Sequence, residues 1–194
     1  MPDKTISPIM LAAGKSKRFG SDKLLYLING KPLIYKSLTP WLDIFNQISV
    51  VVRPDNRLLI DTLKSAPFSA QLQLIPAPDA GKGMSASLIA GIRANCKADG
   101  WLIGLADMPN IKSSVIRQSH TALQSGAAIT IPTFQDRSGH PVGFTSRFLP
   151  QLLALQGDKG AKDILDASPD LITSIVSPDE GIYADIDTEK DLAT

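Results

Sequence analysis

Residues 6–23 read ISPIMLAAGKSKRFGSDK, an apolar run that passes directly into a loop rich in glycine and basic residues. The apolar part, Ile6–Leu11, predicts a buried strand. Two glycines in the loop let the backbone turn with its N–H groups pointing at an anion, and Arg18 and Lys23 supply charge-assisted hydrogen bonds to phosphate oxygens. We therefore predict a strand followed by a phosphate-binding loop, whose natural ligand is a triphosphate.

Two common phosphate-binding patterns do not fit this loop. The string GKS at 14–16 is not a Walker A motif, because that motif needs a glycine at the position of Ile9. The GxGxxG pattern of dinucleotide-binding domains is absent as well. A basic surface turn stays open as the alternative interpretation, and agreement with the other predicted strand ends favours a ligand.

Short apolar runs alternate with helical periodicity along the rest of the chain. The predicted strands are Ile6–Leu11, Ile48–Val52, 72–75, 101–105, 127–131 and 139–145. The predicted helices are 32–41, 56–64, 85–95 and 113–125, and a glycine-bounded loop at 157–166 is predicted to open a further helix. This alternation predicts an α/β fold, a three-layer, mainly parallel Rossmann-like sheet with helices on both faces. Without a linker or repeat, residues 1–194 are expected to form a single domain.

Composition excludes several classes of function. Hydrophobic residues make up 43% of the chain and the net charge is +1, which argues against disorder and against nucleic acid as a partner. A lone cysteine, Cys96, rules out an internal disulfide, and no Cys or His cluster has zinc-site spacing. No apolar run reaches the roughly 18 residues of a membrane span, and the apolar stretch at the N-terminus is too short for a signal peptide. We therefore expect a soluble, cytoplasmic protein with no membrane partner.

Asp107 follows the predicted strand 101–105 at its carboxyl end. In open parallel sheets the ligand crevice lies beyond that end. Mg²⁺ usually takes only one or two protein carboxylates and completes its shell with waters and phosphates. Asp107 is therefore the first candidate metal ligand. The alternative, an N-cap for the next helix, fits poorly because Pro109 and a gap precede Ser113.

Asp185 and Asp187 lie in the run 183–188, which alternates like a strand edge and so predicts both carboxylates on one face. Either carboxylate is a candidate to complete the metal site. The alternative is that Thr188 and Asp191 form a capping box and the acids are only solvated.

A second glycine-bounded loop, 81–87, opens the predicted helix 85–95. Its helix N-terminus, with small hydroxyl residues, suits close approach of a base or ribose. Ser85 is also a candidate N-cap for the same helix, and both roles are compatible.

Six strings of the chain resemble the signature of the MobA-like nucleotidyltransferases, and among these they are most similar to the molybdenum cofactor cytidylyltransferases. The strings are LAAGKSKRFGSDK at 11–23, GMSASLIAGI at 83–92, LADMP at 105–109, GHPVGF at 139–144, GDKGAKDIL at 157–165 and DIDTEKDL at 185–192. They span nearly the whole chain in the expected order.

The resemblance implies a nucleotide-diphospho-sugar transferase-like fold and assigns expected roles to residues of this chain. The expected catalytic residues are Arg18, Lys23 and Asp107, and the expected metal ligands are Asp107 and Asp187, with Asp185 as the alternative. The expected nucleotide-binding residues are Leu11, Ala12, Ala13, Gly14, Lys15, Arg18, Lys23, Gly83, Ser85 and Ser87. The expected acceptor-binding residues are His140, Gly157, Asp158, Lys159 and Gly160. The implied cofactor is Mg²⁺, with Mn²⁺ as a substitute. Lys162 stands where the family is expected to have arginine, so the planar two-pronged grip on phosphate is lost there.

The implied reaction is transfer of CMP from CTP to the molybdenum cofactor, a molybdopterin-type acceptor, with release of pyrophosphate. CTP is favoured over GTP because Ala13 stands where guanylyl-transferring relatives carry a second glycine. The alternatives are a GTP-dependent guanylyltransferase, a sugar- or polyol-phosphate nucleotidyltransferase and a non-catalytic nucleotide-sensing module. A client molybdoenzyme or its chaperone is a further expected partner. His140 is assigned to acceptor binding, with a plain turn histidine as the alternative.

Overall fold

The computed structural model of the chain describes residues 4–14 and 22–186. Its strands are β1 (Ile6–Leu11), β2 (Leu27–Ile28), β3 (Lys31–Pro32), β4 (Ile48–Val52), β5 (Leu72–Pro76), β6 (Gly100–Leu105), β7 (Ile129–Phe134), β8 (Arg137–Ser138), β9 (Val142–Thr145) and β10 (Ile172–Val176). Its α-helices are α1 (Leu33–Leu42), α2 (Arg57–Lys64), α3 (Met84–Ala94), α4 (Ser113–Gln124), α5 (Leu149–Leu153) and α6 (Lys162–Asp166). Short 3₁₀ turns at Lys23–Leu25 and Pro78–Lys82 flank the site described below.

The main sheet has the strand order β10-β7-β9-β6-β1-β4-β5, with β8 paired to β7. Neighbours β6, β1, β4 and β5 run parallel, as do β10 and β7, whereas β9 is antiparallel to both β6 and β7. The strands that pass through the centre are nearly all apolar because both of their faces are covered. The predicted mainly parallel α/β sheet is confirmed.

Successive residues of the central strands face opposite layers. Met10, Val50 and Leu102 pack with α1, α2 and α4, whereas their neighbours along the strands, Ile9 and Val51 among them, pack with α3, α5 and α6. Helices therefore cover both faces of the sheet, which confirms the three-layer prediction.

Several local predictions were incomplete or wrong. The strands β8 and β10 and the β2–β3 hairpin were not predicted, and β9 begins three residues later than predicted because residues 139–141 lie outside any strand, where the His140 N–H bonds to the Ile182 carbonyl. The run 183–188 was predicted to be a strand edge, and this is wrong for 183–186. There the N–H groups of Tyr183 and Ala184 bond back to the carbonyl of Glu180, so the chain forms a local turn instead of a ladder.

Within the described ranges, no helix is both long enough and apolar enough to cross a bilayer.

Gly104 in β6 fixes how closely α1 approaches the sheet. The indole of Trp41 is buried against this glycine, and a Cβ built on Gly104 would overlap the Trp41 Cζ2 atom. We expect Gly104→Ala to lower the free energy of unfolding by about 1–3 kcal/mol, because the buried ring must shift from a well-packed position. Urea unfolding measures this loss. In a double-mutant cycle with Trp41→Phe the two losses should be less than additive; additive losses would contradict the contact.

Candidate functional site

Lys23 and Asp107 form an ion pair at the carboxyl end of the parallel strands, with 2.7 Å between Lys23 Nζ and Asp107 Oδ2. The Lys23 residue is only 8% exposed, which is rare for lysine and requires a partner for its charge. Asp107 lies two residues beyond the end of β6, and Lys23 opens the 3₁₀ turn after the first loop. The structure therefore joins the two residues that the sequence analysis assigned to metal and phosphate.

Backbone contacts hold Asp107 at this position. The Ala106 N–H donates to the carbonyl of Leu11, and the Ile186 N–H donates to the Asp107 carbonyl, both over 3.0 Å. The buried hydroxyl of Ser37 in α1 donates to the Ala106 carbonyl over 2.7 Å. Asp107 is therefore not the N-cap of α4, which follows Lys112.

The Ser37 contact was missed by the sequence analysis. Ser37 lies one turn into a helix whose periodicity is apolar, and it is separated from Ala106 by 69 positions. No motif in the sequence indicates that its hydroxyl supports the strand end that carries Asp107.

The first strand delivers its terminal residues to the same edge. Ala12 and Ala13 are buried, the Ala12 N–H donates to the Val51 carbonyl over 2.9 Å, and Gly14 is exposed. Leu11 is paired in register with Leu105, so the start of the first loop lies beside the segment that carries Asp107. Lys15 and Arg18 lie outside the described residues.

His140 lies close to Asp107 and Asp185, the two predicted metal ligands within the described residues. Burial lowers the pKa of its imidazole below 6.5, and this outweighs the opposing effects of a hydrogen bond with the Ile103 backbone and of the negative charges on Asp107 and Asp185. The imidazole is therefore neutral at pH 7. Its Nδ1 atom is buried and has no hydrogen-bond partner among the described residues. His120, by contrast, packs edge-on against Phe45 at the far side of α4.

The available donors fit a hard divalent cation of the Mg²⁺ type. Of the three predicted metal ligands, Asp107 and Asp185 lie within the described residues, and their carboxylate oxygens suit such a cation. The hydrogen bond from the Ile186 N–H to the Asp107 carbonyl brings the end of the 183–186 turn to Asp107. Asp187 lies outside the described residues. Within the described ranges no group of three His, Cys, Asp or Glu side chains is arranged to hold a metal ion.

The N-terminus of α3 is joined to the predicted acceptor loop. Asp158 Oδ1 accepts from the Met84 N–H over 3.2 Å, and the Gly157 carbonyl accepts from the Ser85 N–H over 3.1 Å. Gly83 has φ +123°, and a Cβ there would lie 2.5 Å from the Gly157 oxygen and 2.6 Å from Asp158 Oδ1. Only glycine allows this close approach.

Ser85 and Ser87 lie on the first turn of α3 and are buried. The N-cap of α3 is Gly83, so the alternative in which Ser85 is the N-cap is wrong, because Asp158 from outside the helix supplies the capping oxygen. The hydroxyl oxygen of Ser85 is buried without a hydrogen-bond partner among the described residues.

The acceptor loop lies on the other side of this junction. Gly157 and Gly160 have φ of +70° and +56°, and α6 begins just after the loop, as predicted. Lys159 is exposed and its ammonium group lies 3.5 Å from the carboxylate of Asp163. A weak exposed pair of this kind leaves the ammonium group able to bind a phosphate.

The chain is similar to several known proteins. The family model described as "MobA-like NTP transferase domain" matches residues 8–171. The purine catabolism protein PucB of Bacillus subtilis is 29% identical over 94% of this chain and 92% of its own length. A probable molybdenum cofactor guanylyltransferase of Bacillus cytotoxicus is 25% identical over 69% of this chain and 65% of its own length.

Among solved structures, Rv0371c from Mycobacterium tuberculosis in complex with manganese superposes with a TM-score of 0.77, at 20% identity, over 97% of this chain and 96% of that one. This likeness supports the nucleotide-diphospho-sugar transferase-like fold. The family match covers far more than half of the chain, and the chain belongs to the MobA-like NTP transferase family.

Proposed function

We propose that this nucleotidyltransferase transfers CMP from CTP to a molybdopterin-type acceptor and releases pyrophosphate. The observation that carries the proposal is the Lys23–Asp107 ion pair at the carboxyl edge of the sheet, 2.7 Å long and largely shielded from water. A cation beside a hard oxygen ligand at this edge of the sheet suits a triphosphate with its metal ion, and this supports the proposal.

The acceptor phosphate is an anion near neutral pH, so it attacks the α-phosphorus without a dedicated general base. An acceptor oxygen forms a new bond to the α-phosphorus, the bond between that phosphorus and the bridging oxygen breaks, and pyrophosphate carries the electron pair away. A neutral His140 imidazole is compatible with this, because burial lowers its pKa and it would bind the acceptor by hydrogen bonding without adding positive charge.

Asp107, with Asp185 or Asp187, would hold the divalent cation. That ion supplies charge neutralisation for the α-phosphate and for the departing pyrophosphate. Lys23, and Arg18 from the first loop, would bind the phosphate oxygens and keep the reacting groups in line. The proteins compared above support a divalent ion, since a structure of this fold contains manganese.

The acceptor half of the site rests on the junction between two loops. Asp158 and the Gly157 carbonyl bind the α3 N-terminus, so the loop predicted to hold the acceptor touches the loop predicted to hold the nucleotide. Such contact suits a transferase, because the two substrates must meet in line within a few ångström. The molybdopterin-type acceptor is supported by GHPVGF, GDKGAKDIL and the guanylyltransferase relative.

A panel assay tests the substrate assignment. The purified chain is incubated with Mg²⁺, one NTP at a time and molybdopterin cofactor, and both pyrophosphate and the dinucleotide are measured. We expect the cytidine dinucleotide. Formation of the guanine dinucleotide alone would show that the nucleotide substrate is GTP and not CTP. Product only with a sugar or polyol phosphate would replace the acceptor, and binding of NTP without any product would indicate a sensing module.

Asp107→Asn tests the metal-ligand role. The substitution keeps the shape of the side chain but removes the charge that binds the cation, so kcat should fall on the order of 10³-fold. The matched control is Asp99→Asn at the opposite end of the same strand, where the side chain only accepts a hydrogen bond from Thr5 N–H. Circular dichroism verifies that both variants fold. Near-normal turnover of Asp107→Asn would remove Asp107 from the site.

Lys23→Met tests the phosphate role. The variant keeps a long side chain in the buried position but removes the cation, so the KM for CTP should rise and kcat should fall, each by about 10-fold or more. Lys31→Met, at an exposed position of the neighbouring hairpin, is the control and should match the wild type. If Lys23→Met gave unchanged kinetics with CTP, Lys23 would not contact phosphate.

A further inference from the structure

The short loop that follows β4 contacts both ends of the first loop. Because β4 lies beside β1 and runs parallel to it, the two strands end at the same edge, and the segments that follow them are neighbours. Arg53 and Asn56 are the residues of this loop that reach across. We refer to the segment 53–56 as the clasp.

Arg53 binds the beginning of the first loop. Its Nη1 donates to the Gly14 carbonyl over 3.2 Å, while its Nε lies 3.1 Å from Asp55 Oδ1. The Asp55 carboxylate therefore orients the guanidinium group, whose side chain is 19% exposed. Gly14 is the last described residue before the segment 15–21, which lies outside the described ranges.

Asn56 binds the end of the first loop. Its Nδ2 donates to Asp22 Oδ2 over 2.5 Å, and the other carboxylate oxygen, Asp22 Oδ1, accepts from the Leu24 N–H over 3.2 Å. The Leu25 N–H adds a bond to the Asp22 carbonyl over 3.0 Å. Asp22 is thus the N-cap of the 3₁₀ turn whose first residue is Lys23.

Asn56 is itself fixed. It is the N-cap of α2, and its Oδ1 accepts from the Leu59 N–H over 3.3 Å. Both ends of the amide group are engaged, with the oxygen bonded to the Leu59 N–H and the nitrogen to Asp22. A chain of hydrogen bonds therefore runs from the α2 N-terminus through Asn56 and Asp22 to the turn that carries Lys23.

We infer that Arg53 and Asn56 are positioning residues of the transfer reaction. The clasp holds both ends of the phosphate loop and sets the position of Lys23 against Asp107. This inference rests on the proposed role of Lys23 in phosphate binding. Their hydrogen bonds to Gly14 and Asp22 are the contacts through which they act on the loop and on Lys23.

Asn56→Asp tests the clasp without removing the helix cap. Aspartate caps a helix as well as asparagine does, so α2 keeps its N-cap. The substitution exchanges the amide donor for a second carboxylate facing Asp22, and the two negative charges repel. We expect kcat/KM for CTP to fall about 10- to 100-fold, because small displacements of a phosphate-binding group lower the rate strongly.

The exchange variant Asn56→Asp with Asp22→Asn restores a donor and an acceptor with the polarity reversed. Asparagine at 22 can accept from Leu24 N–H and donate to the aspartate at 56. We expect the double variant to recover kcat/KM to within about 3-fold of the wild type, although each single variant is impaired, which a double-mutant cycle measures as coupling. Failure of the exchange to recover any activity would overturn the assignment of Asn56.

Hydrogen exchange of the Leu24 and Leu25 amides provides a readout that does not depend on activity. These amides should exchange faster in Asn56→Asp and return to the wild-type rate in the exchange variant, while the urea midpoint stays unchanged. Unchanged amide exchange in Asn56→Asp would overturn the clasp even if the proposed reaction is correct. If the amides respond as expected but the wild type forms no dinucleotide, the proposed function fails and the clasp stands.

Arg53→Met tests the other end of the loop. Loss of the bond to Gly14 should raise the KM for CTP about 10-fold or more with a smaller change in kcat. Arg57→Met, at the first residue of α2, removes an exposed cation four positions further along the chain and is the matched control. Equal effects of the two substitutions would show that only net charge matters and would overturn the role of Arg53.

Discussion

The ion pair between Lys23 and Asp107 is the interaction on which the rest of the site depends. A lysine that is 8% exposed stays charged only beside an anion, so removal of either partner leaves a poorly solvated charge. The same pair suits ligand exchange. In the proposed reaction an incoming triphosphate would compete for the ammonium group while its metal ion would compete for the carboxylate, so that both charges would stay compensated.

The fold supplies this pair from two distant parts of the sequence. Parallel pairing of β1 with β6 brings Leu11 beside Leu105, and backbone bonds from Ala106 and Ile186 fix the segment that carries Asp107. At the other side of the site, Gly83 lets Gly157 and Asp158 contact the α3 N-terminus. The loop that precedes α3 and the loop that precedes α6 are therefore in direct contact.

Much of this organisation could be predicted from the sequence. Short apolar runs indicated the central strands, and apolar residues at three-to-four spacing indicated the helices. Asp107 and Lys23 were recognised as candidates because they lie in segments that follow strand ends. The structure pairs Lys23 with Asp107, and the charges of Asp107 and Asp185 act on His140, while the roles of these residues stay predictions. The strand edge predicted at 183–188 is wrong over 183–186 because short turns and strand edges share alternating polarity, and only the local bonds of Tyr183 and Ala184 back to Glu180 decide between them.

Other contacts had no signal in the sequence. Ser37 lies in an apolar helix, and Asn56 looks like an ordinary helix cap, so their bonds to Ala106 and Asp22 follow only from the packing of elements distant in the chain. The capping of α3 by Asp158 is of the same kind, since the residues lie 74 positions apart. Composition and periodicity describe each element alone, whereas these bonds depend on where two elements meet.

The most direct measurement is the anomalous difference map of a crystal grown with Mn²⁺ and a CTP analogue that cannot release pyrophosphate. The account predicts a manganese peak within bonding distance of the Asp107 carboxylate, with the triphosphate bridging that ion and Lys23 Nζ. A well-occupied analogue bound elsewhere, with the Lys23–Asp107 pair unchanged and no peak beside Asp107, would contradict it.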